Sequence, residues 1–351
     1  MHMADALLSP AVGGTMWAVS AGAIAYCSTK VRSQLDDRKV PLMGVLGAFI
    51  FAAQMINFTI PGTGSSGHLG GGLLLAILLG PQAAFLTIAS VLVVQAIFFA
   101  DGGLLALGCN IFNLGFFPAF IAYPFIYKKI AGAQLGRLRL AGAAIIAAVA
   151  GLQLGAFGVV AETVLSGISS LPFSTFLLLM QPIHLAIGVV EGLVTAAVLS
   201  FVYKARPEML LENPLSPQRG LRPVGVVLLG FFVATLLTAG ILSWYASAHP
   251  DGLEWAIAKV TGREEIAEPE TGIFPALAAL QQKTAFFPDY SLPGSADSSV
   301  REPAENGAAS SASIVDLGTS VAGILGSLIT LALASLAAFL LRKRPKPALR
   351  L

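Results

Sequence analysis

Four histidines, His2, His68, His184 and His249, are the whole imidazole supply of this 351-residue chain. Two of them stand where a metal ion could use them. A histidine in second position offers three nitrogens in a row: the terminal amine of Met1, the amide nitrogen of His2 and its ring Nδ1. These close adjacent small chelate rings around one ion, and a deprotonated amide is a strong in-plane donor. A fourth nitrogen from His68 would complete a planar set, which suits Ni(II) or Cu(II), whereas zinc prefers a tetrahedral site. Taken alone, His2 also reads as an exposed N-terminal residue and His68 as an ordinary loop histidine. His68 stands in Pro61-Gly-Thr-Gly-Ser-Ser-Gly-His-Leu-Gly-Gly-Gly72, however, a Gly-rich stretch able to approach a ligand closely. A bulky second residue also protects the initiator methionine from trimming, so the amine would belong to Met1 itself.

Other polar residues sit in otherwise apolar surroundings. Gln54 and Asn57 are three apart and share a helix face just before the Gly-rich stretch. With Ser66 they could support a metal ligand from behind, and for Gln54 and Asn57 hydrogen bonding between helices serves as well. His184 and Glu191 lie about two turns apart on one face. Ionisable groups at membrane depth are functional candidates by default, although packing inside a bundle explains them equally. Asp101, Asn110 and Asn113 surround the Gly102-Gly103 pair and are expected to close a turn. Cys27 and Cys109 form no CxxC pattern and read as small buried residues. No GxxxxGK[ST] phosphate loop occurs, so this chain is not expected to hydrolyse ATP.

The elements that carry these residues follow from composition. Hydrophobic types make up 56% of the chain, charged types 11%, and the mean hydropathy is +0.79. A soluble domain carries about a quarter charged residues, so a soluble enzyme is excluded. Apolar runs near membrane-spanning length recur along most of the sequence, without the alternation of a membrane barrel. The fold class is therefore all-α, a polytopic transmembrane helical bundle. A net charge of +2 gives no nucleic-acid signal.

Of 21 Lys and Arg, 17 fall in four clusters: Lys30 to Lys39, Lys128 to Arg139, Lys204 to Arg222, and Arg342 to Arg350. Ten of 19 acidic residues lie between Asp251 and Glu305. Basic clusters at span ends mark the cytoplasmic side, which gives four inner segments and one acidic outer loop. The first 29 residues hold no Lys or Arg, so Pro10 to Thr29 reads as a retained first span with the N-terminus outside and the C-terminus cytoplasmic. His2 and His68 then share the outer side. Further spans read as Leu42 to Ile60, Gln82 to Ala100, Leu104 to Tyr127, Leu140 to Leu165, Thr175 to Tyr203, Val224 to Tyr245 and Ile314 to Leu341. Keeping the first two basic clusters inside requires one more crossing. It is assigned to a broken element over 70–81, where a short apolar arm meets Gly80-Pro81. Such irregular backbone must be buried in the bundle, and transporters build binding sites from it. The chain divides into a seven-crossing unit (1–204), a cytoplasmic linker (205–223) and a two-span unit (224–351) with an acidic, partly ordered outer loop (249–313). Two subunits fused into one would give this pattern.

With these residues in place, the chain resembles the cobalt/nickel-type substrate-specific components of energy-coupling-factor transporters, the NikM/CbiM family. The matching stretches are Met-His followed by Leu8 to Ala11, Ser66-Gly-His-Leu-Gly-Gly, Ala76-Ile-Leu-Leu-Gly-Pro81, the run from Val94 through Ala-Asp-Gly-Gly to Asn113, and His184-Leu-Ala-Ile-Gly-Val-Val-Glu-Gly-Leu193. The tail, with Pro250-Asp-Gly-Leu-Glu254, looks like the small N-type subunit of the same systems. The resemblance implies a metal held by Met1, His2 and His68, and no catalytic cofactor. It implies a cytoplasmic-membrane protein among lipids, partnered by a transmembrane coupling (T/Q-type) subunit and ATP-binding cassette ATPase subunits. Small residues on the first span, Gly14, Ala18 and Gly22, could dock that coupling subunit. Where many relatives read Met-His-Ile-Pro-Asp-Gly, this chain reads Met-His-Met-Ala-Asp-Ala. The chelate does not need those later positions. Ser-Gly-His-Leu-Gly-Gly looks more like the nickel branch than the cobalt branch, which serves cobalamin synthesis and commonly has Pro-Thr-Gly after the histidine. A rival is a secondary transporter driven by an ion gradient, with His184 and Glu191 as a proton relay. An intramembrane enzyme lacks a paired nucleophile and base.

Overall fold

A computed structural model describes residues 2–34, 39–132, 136–210, 224–291 and 317–342. The first unit contains α1 (Pro10–Gln34), α2 (Lys39–Gln54), α3 (Gly72–Leu79), α4 (Pro81–Phe98), α5 (Leu107–Ala131), α6 (Arg137–Ser166) and α7 (Phe173–Ala205). The second contains α8 (Val224–Gly240), α9 (Gly252–Thr261), α10 (Phe274–Thr284) and α11 (Leu317–Leu341). Five of these (α4, α5, α6, α7 and α11) are long and apolar enough to cross a membrane, while α2 and α8 are shorter apolar helices. Leu178, Leu193, Leu229, Leu336 and Phe339 are exposed on helix surfaces. Large apolar side chains standing outward along several helices are the pattern of a lipid-facing surface.

The break predicted at Gly80-Pro81 is where α3 ends and α4 begins. Gly80 adopts φ +88°, a left-handed value that only glycine reaches without strain. Pro81 then opens α4 at the position where a missing N–H costs nothing. Every residue of α3 is buried, and the helix packs against α4 and α5. A short helix enclosed on all sides keeps its unpaired ends away from lipid.

Two expectations, both on where a span ends, need correction. The second span stops at Gln54; Phe58–Ile60 instead forms strand β1, paired antiparallel with β2 (Ser65–Gly67) in the register Phe58 to Gly67, Thr59 to Ser66 and Ile60 to Ser65. The Gly-rich stretch is thus partly a hairpin, because Gly62 and Gly64 supply the positive φ its turn needs. The span expected to reach Tyr245 ends at Gly240 and gives way to a single tighter turn, Leu242–Tyr245. Within the described part of the acidic outer loop lie α9 and α10. Residues 292–313 of that loop and most of the linker (211–223) lie outside the described residues, as does the start of the last span (314–316).

Pro250-Asp-Gly-Leu-Glu254 has a direct physical reading as the start of α9. Asp251 Oδ1 accepts from the backbone N–H groups of Leu253 (2.7 Å) and Glu254 (2.9 Å), and Glu254 Oε2 accepts from Asp251 N–H (2.9 Å). This reciprocal capping box satisfies donors that the first helical turn leaves unpaired. The second unit is laid onto the first, with α11 along α2 and α4, α8 on α2, and α9 on α7 and β2.

Candidate metal centre

The N-terminal segment is threaded into the bundle rather than left at the surface. Met3 N–H donates to Asn110 Oδ1 (2.8 Å), and Met3 carbonyl accepts from Asn110 Nδ2 (3.2 Å) and Gly103 N–H (2.9 Å). Asp5 Oδ1 accepts from Ala106 N–H at 2.9 Å. The close approach explains Gly103: a Cβ there would stand 1.8 Å from Asp5 Oδ1 and 2.5 Å from Asp5 N. Asn110, expected only to close a turn, therefore fixes the backbone on which His2 is mounted. Asn113 does not share that task; it donates to Glu162 at 2.7 Å.

His2 and His68, distant in sequence, come together with ring centroids 4.8 Å apart and planes 24° from parallel. His2 Nδ1 lies 2.7 Å from Asp101 Oδ1, while its Nε2 is buried without a hydrogen-bond partner among the described residues. His68 Nδ1 donates to the Leu69 carbonyl (3.1 Å), which places the lone pair on Nε2; that nitrogen is 3.9 Å from Asp251 Oδ2. Burial pushes the His68 imidazole down to about 3, assisted by His2 and opposed by Asp251 and Asp101. His68 is thus a neutral donor at physiological pH. Burial alone would raise Asp101, but His2 and hydrogen bonds from His2 and Tyr290 hold its carboxyl well below the usual range. Met1 lies outside the described residues. Among the described residues, no three His, Cys, Asp or Glu side chains are grouped as a metal cage.

The loop carrying His68 is held from behind. Gln54 Nε2 donates to Gly70 carbonyl (2.8 Å), and Glu191 accepts from Gly70 N–H (2.7 Å) and Gly71 N–H (3.2 Å). Ser66 donates its N–H to Pro250 carbonyl (2.8 Å) and its hydroxyl to His249 carbonyl (2.8 Å). Asn57 contributes through its backbone carbonyl, which accepts from Ser247 N–H at 2.7 Å. His184 donates from Nδ1 to Met180 carbonyl (2.8 Å), and its ring lines a small cavity with His68, Gly70, Asp251 and Gly252. His184 and Glu191 are not bonded to each other, since Glu191 gives both oxygens to the loop.

Sequence reasoning missed the part played by Asp101, Asp251 and Tyr290. Tyr290 donates its hydroxyl to Asp101 Oδ2 at 2.5 Å, and Gln281 Nε2 donates to Gly102 carbonyl at 2.8 Å. Asp101 could have been flagged as a carboxylate in an apolar stretch. No local pattern marks Tyr290, whose place depends on the docking of a distant loop.

A polytopic helical bundle that packs the segment from His2 onward beside His68 is the architecture of a multi-pass membrane protein. The family model for "Cobalt uptake substrate-specific transmembrane region" (CbiM) matches residues 2–209, and the PDGLE domain model matches 225–343. The chain belongs to the CbiM family, with a PDGLE domain fused to its end. It is 32% identical over 335 residues to the fused NikMN protein of Archaeoglobus fulgidus, covering 95% of this chain and 96% of that one. The fused nickel transport protein NikMN of Rhodobacter capsulatus is 30% identical over 236 residues, 63% of this chain and 68% of its own. The cobalt transport protein CbiM of Geobacter sulfurreducens is 31% identical over 281 residues, 77% and 80% of the two chains. A crystal structure of a truncated transition metal transporter superposes with a TM-score of 0.51 at 30% identity, covering 58% of this chain and 99% of that one. The protein is a multi-pass membrane component of nickel/cobalt-type metal transport.

Proposed function

We propose that the chain is the substrate-capture and translocation component of an ATP-driven importer of the energy-coupling-factor type, and that its cargo is Ni(II). The ion is taken from the outer face and held by the Met1 amine, His2 and His68 in a site closed by the Gly-rich hairpin. The observation that carries this reading is the buried stack of His2 on His68, with His68 kept neutral. In the arrangement described, His2 Nδ1 faces Asp101; the chelate through Nδ1 calls for the ring to turn so that this nitrogen meets the ion. The N-terminus lies outside the cytoplasmic membrane and the C-terminus inside. A transmembrane coupling subunit and ATP-binding cassette ATPase subunits drive release inward.

Nickel is favoured over cobalt by Ser66-Gly-His-Leu-Gly-Gly and by the fused two-unit layout shared with the NikMN relatives. The cobalt transport relatives support Co(II) as the second reading. The test is radiolabelled Ni(II) and Co(II) uptake into cells carrying this chain with and without its coupling and ATPase subunits. Accumulation is expected only with a hydrolysis-competent ATPase, and Ni(II) is expected to outcompete Co(II). Accumulation without any ATPase would instead favour the ion-gradient mechanism, and preference for Co(II) would reassign the cargo.

The packing of Gly103 supplies a further expectation. Gly103→Ala pushes a methyl group into Asp5 and its backbone, displacing the segment that carries His2. Ni(II) affinity measured by calorimetry should fall about tenfold or more, the usual scale for disturbing what orients a ligand.

A further inference from the structure

We propose that Tyr290, supplied by the outer loop of the second unit, is a positioning residue of the metal site: its hydroxyl holds Asp101, and Asp101 orients the His2 ring. This rests on the reading of His2 as a metal ligand. The two bonds run in series, Tyr290 hydroxyl to Asp101 Oδ2 at 2.5 Å and Asp101 Oδ1 to His2 Nδ1 at 2.7 Å, so one carboxylate joins the two units at the ring. In the arrangement described, Asp101 meets Nδ1. Once the ring turns to give Nδ1 to the ion, its proton sits on Nε2, and in a buried site that N–H needs an acceptor; a carboxylate beside the ring then fixes it and strengthens its donor nitrogen. Asp101 is the carboxylate at this ring, and Tyr290 keeps its second oxygen occupied.

Backbone conformation argues that the contact is specified rather than incidental. Among the described residues, three non-glycine residues have positive φ: Ala100 (54°), Asp289 (50°) and Tyr290 (58°). All three flank or form the Asp101–Tyr290 contact. Left-handed backbone at such residues persists only where surrounding structure enforces it, and it concentrates at functional sites. The enforcing contacts are present. Phe287 N–H donates to Phe98 carbonyl (3.2 Å), Asp289 N–H to Phe99 carbonyl (2.9 Å), and Gln95 Nε2 to the Tyr290 hydroxyl (3.2 Å). The Tyr290 ring stacks on Phe99 (centroids 5.0 Å) and meets Phe51 edge-on (6.0 Å). The ring would be seated by these contacts without its oxygen, so the hydroxyl is separable from the packing.

The experiment uses the full-length protein with its native N-terminus. Tyr290→Phe, Asp101→Asn, the double variant and His68→Ala are titrated with Ni(II) by calorimetry, and the absorption bands of the bound ion are recorded. Tyr290→Phe keeps the aromatic seat, so the protein should stay folded, with a melting temperature lowered only by the loss of the hydroxyl's hydrogen bonds. Its Ni(II) affinity is expected to drop about tenfold with a shifted spectrum. Asp101→Asn should lose at least as much, and the double variant should be no worse than Asp101→Asn alone, as expected for residues acting in series. Native affinity and spectrum in Tyr290→Phe, tighter binding (Asp101 then being a competitor for His2), or fully multiplying losses in the double variant would each overturn the assignment. Loss of binding in His68→Ala with none in Tyr290→Phe would overturn the role of Tyr290 alone. Native binding by His68→Ala would remove the chelate itself, and the role of Tyr290 with it.

Discussion

His68→Ala, and separately an extension of two residues before Met1, are expected to abolish tight Ni(II) binding. The extension leaves every side chain in place and removes only the terminal amine from the chelate. Disturbing a group behind a ligand costs about 10- to 100-fold in metal affinity, so loss of a ligand should exceed that. His68→Ala also deletes a neutral donor that the fold has already desolvated, since burial holds its imidazole down to about 3. The pH dependence follows from the same fact. A proton competes with the metal only at a group that is protonated in the free protein, so His68 offers no competition between its ordinary titration range, about pH 6.5, and about 3. Affinity should still fall on acidification, because the amine and the amide must give up protons to bind the ion, but the fall should lack a contribution from His68. A rise in affinity on acidification would contradict the site. Linkage runs the same way for stability: the folded protein keeps His68 neutral while the unfolded chain protonates it, so this contribution is present above about pH 6.5 and is lost as pH falls toward 3. Calorimetry on the three proteins across this range reads both effects. An extended protein that binds as the native one does would exclude the Met1 amine and direct attention to His184 and its cavity.

The fold was legible in the sequence where hydropathy and backbone chemistry agree. Long apolar runs located the helices, and Gly80-Pro81 located the break, because both signals are local. The hairpin Phe58–Gly67 was not legible, since Phe58–Ile60 continues an apolar run and only the pairing with Ser65–Gly67 makes it a strand. His2 and His68 stood out because scarcity and position mark them. The carboxylates around them did not: Asp101 looked like a turn residue, and Asp251 belongs to a capping motif remote in sequence. Their meaning depends on how the second unit docks, through contacts such as Ser66 on Pro250 and Trp255 Nε1 on the Thr63 carbonyl (3.0 Å). Asp251 shows how economical the arrangement is, because one oxygen caps α9 while the other faces His68.

Glu191→Ala is expected to produce the second large effect, on binding rather than on translocation alone. Glu191 is buried and accepts from the backbone N–H groups of both Gly70 and Gly71, just beyond His68. Removing the carboxylate strands two buried donors, at a cost of about 1–3 kcal/mol each. Gln54 holds the same loop through the Gly70 carbonyl alone. The loop should therefore relax, lowering the melting temperature and weakening Ni(II) binding by about 10- to 100-fold. Glu191→Gln retains one acceptor oxygen but turns an NH2 toward the second donor, so an intermediate loss is expected. A proton relay makes the opposite forecast: Glu191→Gln would bind Ni(II) normally and fail only in uptake. Binding and uptake measured on the same two variants separate the readings, and the geometry favours the clamp, since both carboxylate oxygens are committed to the loop and neither reaches His184.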